Sequence, residues 1–189
     1  VLPYERLSIE AGTVHERVSA LGALLSNNNT APIVICSVIG VLQKTIAPTI
    51  LRNTVHTIAK NQRVAVEPMF TQWSQMGYRL GQLVDHRGTT ARRGGIIDVY
   101  GPGHIQPVRF DLWGDVVDSI RMFDANSQRS TASVDEITIL PATAALPALA
   151  DHAEIDQMIR RLDFSMSGNA IRDRIQDELA NLLAGTSVE

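Results

Sequence analysis

The chain has 189 residues, 44% of them hydrophobic, and a formal net charge of -3, enough for one ordinary domain or two small ones around a sizeable core. The slight negative balance excludes a global attraction to nucleic acid or to an anionic membrane, so any such binding must come from a local patch. The single cysteine, Cys36, excludes an internal disulfide, and within its apolar run it reads as a small buried hydrophobe in a reducing cytoplasm. No apolar stretch reaches membrane-spanning length, the first residues lack the basic-then-apolar pattern of a signal peptide, and a start at Val1 without methionine reads as a piece of a longer protein. Of the 17 basic residues only Lys44 and Lys60 are lysines; arginine suits bidentate contacts to carboxylate or phosphate, but a genomic compositional bias produces the same imbalance.

In chain order, Val1-Leu2-Pro3-Tyr4-Glu5-Arg6-Leu7-Ser8 begins extended, because Pro3 turns its neighbour away from helical geometry. Val14, Val18, Leu21, Leu24 and Leu25 then recur at helical spacing and predict an amphipathic helix. Pro32-Ile33-Val34-Ile35-Cys36 is a continuous apolar run, as in a strand buried on both sides, and Ser37 is placed to cap a short helix through Gln43. Pro48 opens another helical turn or two, ending near Asn53. This alternation suggests the edge of a parallel α/β layer, although one strand cannot make a sheet. From His56 the texture changes: a strand at His56-Ala59, then a helix near Pro68 with Met69, Phe70, Trp73 and Met76 on one face and Gly77 as its stop. Trp73 is accordingly read as core. Tyr78 to Val84 reads as a strand, and Asp85 to Arg92 as a polar loop.

Three antiparallel strands come next: Arg93 to Tyr100, Val108 to Trp113 and Val116 to Phe123, punctuated by Gly101-Pro102-Gly103 and by Gly114-Asp115. With Gly114 and Asp115 as the loop, Trp113 faces Val116, Asp111 faces Asp118 and Arg109 faces Ile120. Arg109, Asp111 and Trp113 then share one face, and the apolar Val108, Phe110 and Leu112 turn to the core. Ile120 and Met122 fall on the more polar face, so either a bulge shifts the register or the face is mixed. After Phe123, Asp124 to Ser127 is a turn, and Ile137 to Leu140 a last strand stopped by Pro141. Pro141 to Pro147 reads as a connector. Beyond it Ile155, Met158, Ile159 and Leu162 mark one helix, and Ile171, Ile175, Leu179, Leu182 and Leu183 a second, ended by Gly185. The fold class is α/β: an α/β remnant, an α+β module from about residue 55 to about residue 145, and a helical tail.

Signatures of catalysis are missing. Neither GxxxxGK[ST] nor GxGxxG occurs, the histidines His15, His56, His86, His104 and His152 are scattered singly, and no GxSxG elbow places a serine for attack. Gly94-Gly95 reads as packing or a bulge in the strand rather than a phosphate loop. Asp111 and Asp118 as a facing pair have the makings of a shared proton or a metal site, but such carboxylates are more often solvated and neutralised, here by Arg109. What remains is a surface: Arg93, Arg109 and Trp113 are of the types enriched at binding hot spots. Equally, Trp113 packing on Val116 and Arg109 pairing with the two aspartates would account for them structurally, and from the residues alone the two readings stay level.

Several segments carry a resemblance: Leu2-Pro3-Tyr4-Glu5-Arg6-Leu7-Ser8, the Ile33 to Gln43 run, Arg93-Gly94-Gly95-Ile96-Ile97-Asp98-Val99-Tyr100, Pro107-Val108-Arg109-Phe110, and Phe123-Asp124 with Ser127-Gln128-Arg129. In order and spacing, from Leu2 to about Pro141, they resemble the N-terminal part of the bacterial transcription-repair coupling factors (Mfd), and the module from about residue 55 resembles their UvrB-interaction domain. The resemblance implies a module that imitates UvrB, docks on the repair subunit UvrA and brings damage recognition to a stalled RNA polymerase. It implies a docking surface of an arginine before a glycine, a second arginine on the next strand and an aromatic four residues on. By motif these are Arg93, Arg109 and Trp113, with tryptophan where the family usually has phenylalanine. Upstream, Thr89-Thr90-Ala91-Arg92 departs from relatives, which commonly carry an acidic residue and an aromatic there. The implied organisation is a partial, degenerate RecA-like layer at 1–54 that has lost its nucleotide loop, the UvrB-interaction-like domain at 55–145 and a helical segment at 146–189 returning to the first layer. It further implies no enzyme activity, cofactor or metal for this piece, with ATP, RNA polymerase and double-stranded DNA belonging to the full-length translocase, a cytoplasmic protein without membrane attachment. The alternatives are a nucleic-acid-binding module using Arg87, Arg92 and Arg93 on phosphates, and a fragment of UvrB itself.

Overall fold

The computed structural model describes residues 11–25, 33–43, 45–146, 153, 157, 160, 161 and 168–183. The chain divides into two compact units, residues 1–144 and 145–189. In the first, α1 (Ala11–Leu25), α2 (Val38–Leu42) and α3 (Pro48–Thr54) precede β1 (His56–Ala59) and α4 (Val66–Gln75). Seven strands follow: β2 (Arg79–Leu80), β3 (Thr89–Arg93), β4 (Ile96–Tyr100), β5 (Val108–Trp113), β6 (Val116–Phe123), β7 (Ser130–Val134) and β8 (Glu136–Ile139). In the second unit α5 spans Asn169–Leu183, where the stripe from Ile171 to Leu183 predicted a helix. The residues that predicted a helix around Ile155 to Leu162, and those of the extended start at Val1 to Ser8, lie outside the described residues.

Helices and strands are mixed, as the α/β class requires, and the principal sheet is itself mixed. Its order is β2-β3-β4-β5-β6-β7, antiparallel throughout except for the parallel pair β2–β3. β1 and β8 form a separate antiparallel pair in which His56 meets Ile139, so the two ends of the module close on each other. The apolar stripe of α4 packs with one face of the large sheet and with the β1–β8 pair. Trp73 is fully buried at the centre, with Phe70, Tyr78 and Phe110 around it at ring separations of 5.8, 6.0 and 6.3 Å. Its indole N–H donates to His56 Nδ1 at 3.2 Å, which satisfies the one polar atom that burial would otherwise orphan. Gly77, with φ +87°, ends the helix as predicted.

Several local expectations hold for visible reasons. Ser37 Oγ accepts the Gly40 N–H at 3.1 Å and caps α2, and Pro48 sits at the first turn of α3. Others need correcting. Ile33, Val34, Ile35 and Cys36 form no strand and are exposed, because no strand among the described residues lies alongside to complete a ladder. The buried reading of Cys36 falls with it. Thr89 to Arg92, expected to be loop, form β3 together with Arg93, and Gly94-Gly95 is the two-residue turn joining it to β4 rather than a bulge within one strand. Gly94 has the positive φ such a turn needs, +61°. The strand expected from Tyr78 to Val84 shrinks to Arg79–Leu80, and β7, which carries only Ser130-Thr131-Ala132-Ser133-Val134, has no apolar alternation to announce it.

Across β5 and β6 the loop places Trp113 opposite Val116, as expected, and Leu112 opposite Val117. A bulge then leaves Asp118 over, so that Asp111 faces Ser119 and Arg109 faces Arg121. The facing Asp111–Asp118 pair does not form. The bulge returns Ile120 to the buried side, and a face that looked impure in sequence separates cleanly into Val108, Phe110 and Ile120 inward and Arg109, Asp111 and Arg121 outward.

Candidate functional site

Strand pairing sets the outward side chains in rows. One row runs Arg93, Ile96, Asp111, Ser119, and the next runs Ala91, Asp98, Arg109, Arg121. Trp113 stands beyond the first row, at the hairpin end of β5. The three residues singled out in the sequence therefore do share a face, but by a route that the sequence reading missed: Arg93 ends β3 instead of entering the strand that carries Asp98.

Asp98 lies at the centre of this face. Its carboxylate is buried, with 1% of the side chain exposed, and it accepts from Arg109 Nε at 2.7 Å, from Arg109 Nη2 at 2.8 Å and from Arg93 Nη2 at 3.1 Å. The Arg109–Asp98 contact is a two-point fork, a geometry that a lysine cannot reproduce. Arg109 is only 13% exposed; its guanidinium lies 4.5 Å from the Phe123 ring centre and reaches Gln128 at 3.4 Å. The hydrogen bonds to Asp98 push its pKa above the ordinary arginine value, so it stays charged at any working pH. Arg93 is half exposed, 51%. Trp113 is 84% exposed, its ring uncovered, as the alternation on β5 predicted.

Arg109 was expected to neutralise Asp111 and Asp118; instead Asp111 is held by Arg121, at 3.0 and 2.6 Å, and by the Ser119 hydroxyl at 2.5 Å. Ile96, half-buried between Arg93 and Asp111, supplies an apolar centre. Ile96, Asp98 and Arg121 were missed in the sequence. Asp98 and Ile96 alternate along one strand with Tyr100, but the link from β4 to β5 runs through residues 101–107, too long for the register to be read from turn chemistry. Among the described residues no group of His, Cys, Asp or Glu is placed to hold a metal ion.

Arg87, Arg92 and Arg93 do not converge. Arg87 donates to His104 O at 2.9 Å and lies over the Tyr100 ring, Arg92 pairs with Glu67 of α4 at 2.5 Å, and Arg93, the next residue along β3, points to the opposite side. Each is partly neutralised or aimed elsewhere, which is not a phosphate-tracking patch.

The six-stranded sheet, with one face buried under α4 and the other bearing paired arginines and an uncovered tryptophan, belongs to a module whose two ends pair as β1–β8. Residues 57–144 match the UvrB interaction domain, from the second residue of β1 to just past β8. The chain belongs to the transcription-repair-coupling factor family. It is 33% identical to the transcription-repair-coupling factor of Myxococcus xanthus over 77% of the chain and 12% of that protein. It is 32% identical to that of Escherichia coli K12 over 75% of the chain and 12% of that protein, and 28% identical to that of Mycobacterium tuberculosis over all of the chain and 16% of that protein. The chain thus spans about an eighth of the length of the first two of these relatives.

Proposed function

We propose that residues 57–144 dock on the damage-recognition subunit UvrA, and that in the full-length protein this recruits excision repair to a stalled RNA polymerase. The observation that carries the reading is the single outward face on which Arg93, Arg109 and Trp113 stand together around Ile96. Uncovered tryptophan and arginine beside an apolar centre match the composition of interface hot spots. On the proposed reading the chain imitates UvrB without being a piece of it, because relatives matching most or all of its length bear the coupling-factor name. ATP hydrolysis, translocation on double-stranded DNA and polymerase contact are assigned to parts of the full-length protein outside this chain. The chain itself is expected to bind no nucleotide.

The test is a titration of the chain against its cognate UvrA. Arg93→Ala and Trp113→Ala should each weaken binding by about 2 kcal/mol, more than tenfold in affinity, with the melting temperature nearly unchanged. Trp113→Phe should bind like wild type. Folded variants that bind with wild-type affinity would overturn the docking assignment. A nucleic-acid reading predicts instead a steep fall of DNA affinity with salt, lost on replacing Arg87 and Arg92.

A further inference from the structure

Within the docking face proposed above, two arginines are offered to a partner under very different constraints, and one buried group connects them. Arg109 is nearly covered, clamped between Phe123 below and Gln128 at its side, and can present little more than one edge. Arg93 is the last residue of β3, beside Gly94, whose Cβ direction is open, and half of its long side chain lies in solvent. Among the described residues, what ties its guanidinium is Nη2 donating to Asp98 Oδ2, the same oxygen that receives Arg109 Nη2. Asp98 itself is too deeply buried to touch a protein partner.

We infer that Asp98 is the positioning residue of this face: its buried carboxylate holds Arg93 and Arg109 in one fixed pair, so that a partner meets an ordered two-guanidinium edge in place of one covered arginine and one free one. The inference rests on the docking reading and adds to it a residue that the partner never touches. The physical reason is entropic and electrostatic together. An arginine free in solution must be immobilised when it binds, whereas one already tethered loses less. Two like charges sharing one carboxylate can be held side by side at a separation they would otherwise resist. Arg121 provides an internal contrast, since its partner Asp111 is itself partly exposed and further held by Ser119. The pair at Asp111 can adjust to a ligand; the pair at Asp98 cannot.

The test measures UvrA affinity and melting temperature for wild type, Asp98→Asn, Arg93→Ala, Trp113→Ala and the two double variants that combine Asp98→Asn with each alanine. Asp98→Asn keeps the size but removes the second acceptor, and it should weaken binding roughly three- to tenfold, the penalty for immobilising one freed arginine. Because the residue acts through arginine, its effect should largely vanish on the Arg93→Ala background and persist in full on the Trp113→Ala background. Equal loss on both backgrounds, or wild-type affinity of folded Asp98→Asn, overturns the inference and leaves the docking reading standing. Wild-type affinity of both single alanine variants overturns the docking reading itself. Should Asp98→Asn fail to fold, Arg109→Lys, which keeps the charge but cannot span both carboxylate oxygens, takes its place in the same cycle. It should bind more weakly than wild type and couple to Arg93→Ala; unchanged affinity overturns the inference there too.

Discussion

The two tryptophans show how far one residue type can be divided by its surroundings. Trp73 has no exposed surface and lies against the rings of His56, Phe70, Tyr78 and Phe110, whereas Trp113 keeps 84% of its surface in solvent. Acrylamide should therefore quench only the Trp113 emission, and Trp113→Phe should remove the quenchable component. Trp73→Ala should cost about 3–5 kcal/mol of stability, the range for a large buried aromatic, and be read as a lowered denaturation midpoint. The hydrogen bond from Trp73 to His56 ties this core to pH. Burial lowers the pKa of His56, His15 and His104 below the ordinary 6.5. In that window the unfolded chain binds more protons than the folded one, so stability is fully present above pH 6.5 and declines as the pH falls below it. A melting temperature that holds from pH 7.5 to 6.5 and drops toward pH 5, with a shallower drop in His104→Gln, is the expected outcome.

At the scale of elements, the β3–β4 and β5–β6 hairpins decide where the docking side chains stand. The first turns on Gly94 and Gly95, which are restrained in different ways. Gly94 has φ +61° and empty space where a Cβ would be, while a Cβ on Gly95 would come within 2.9 Å of Leu112 O. Gly94→Asn should therefore be nearly neutral, since asparagine tolerates the left-handed region, and Gly94→Ala should cost about 1 kcal/mol. Gly95→Ala meets rigid backbone and should cost more than either, with thermal melts of the three variants giving the order. In the second hairpin the extra residue, Asp118, is what turns Arg121 outward opposite Arg109. Sequence alternation located both strands and named Arg109 and Trp113 on one side, because a period of two is a local property. It left the bulge as one of two alternatives and missed β3 and the short β7, because each is specified by what lies across the ladder and not by the residues along it.

At the scale of the molecule, the pairing of β1 with β8 brings residue 56 against residue 139, so the module begins and ends at one place. The first compact unit, residues 1–144, contains the whole docking face. A chain ending at residue 144 should therefore melt cooperatively and bind UvrA as the 189-residue chain does; a loss of affinity above threefold would mean that the later residues contribute to the face.

Some of this protein was decided by the sequence alone. The positions of α1, α3, α4 and the strands from Val108 to Phe123, the burial of Trp73, the exposure of Trp113 and the membership in the coupling-factor family all follow from local spacing or from ordered motifs. Those signals survive without knowing what packs on what. The buried carboxylate of Asp98 beneath two arginines, the pairing of Asp111 with Arg121 and the exposure of the apolar run from Ile33 to Cys36 required the tertiary structure. Register across a long connection, and the presence or absence of a neighbouring strand, are set by contacts between residues far apart in the chain, and a one-residue shift in either exchanges the inward face for the outward one.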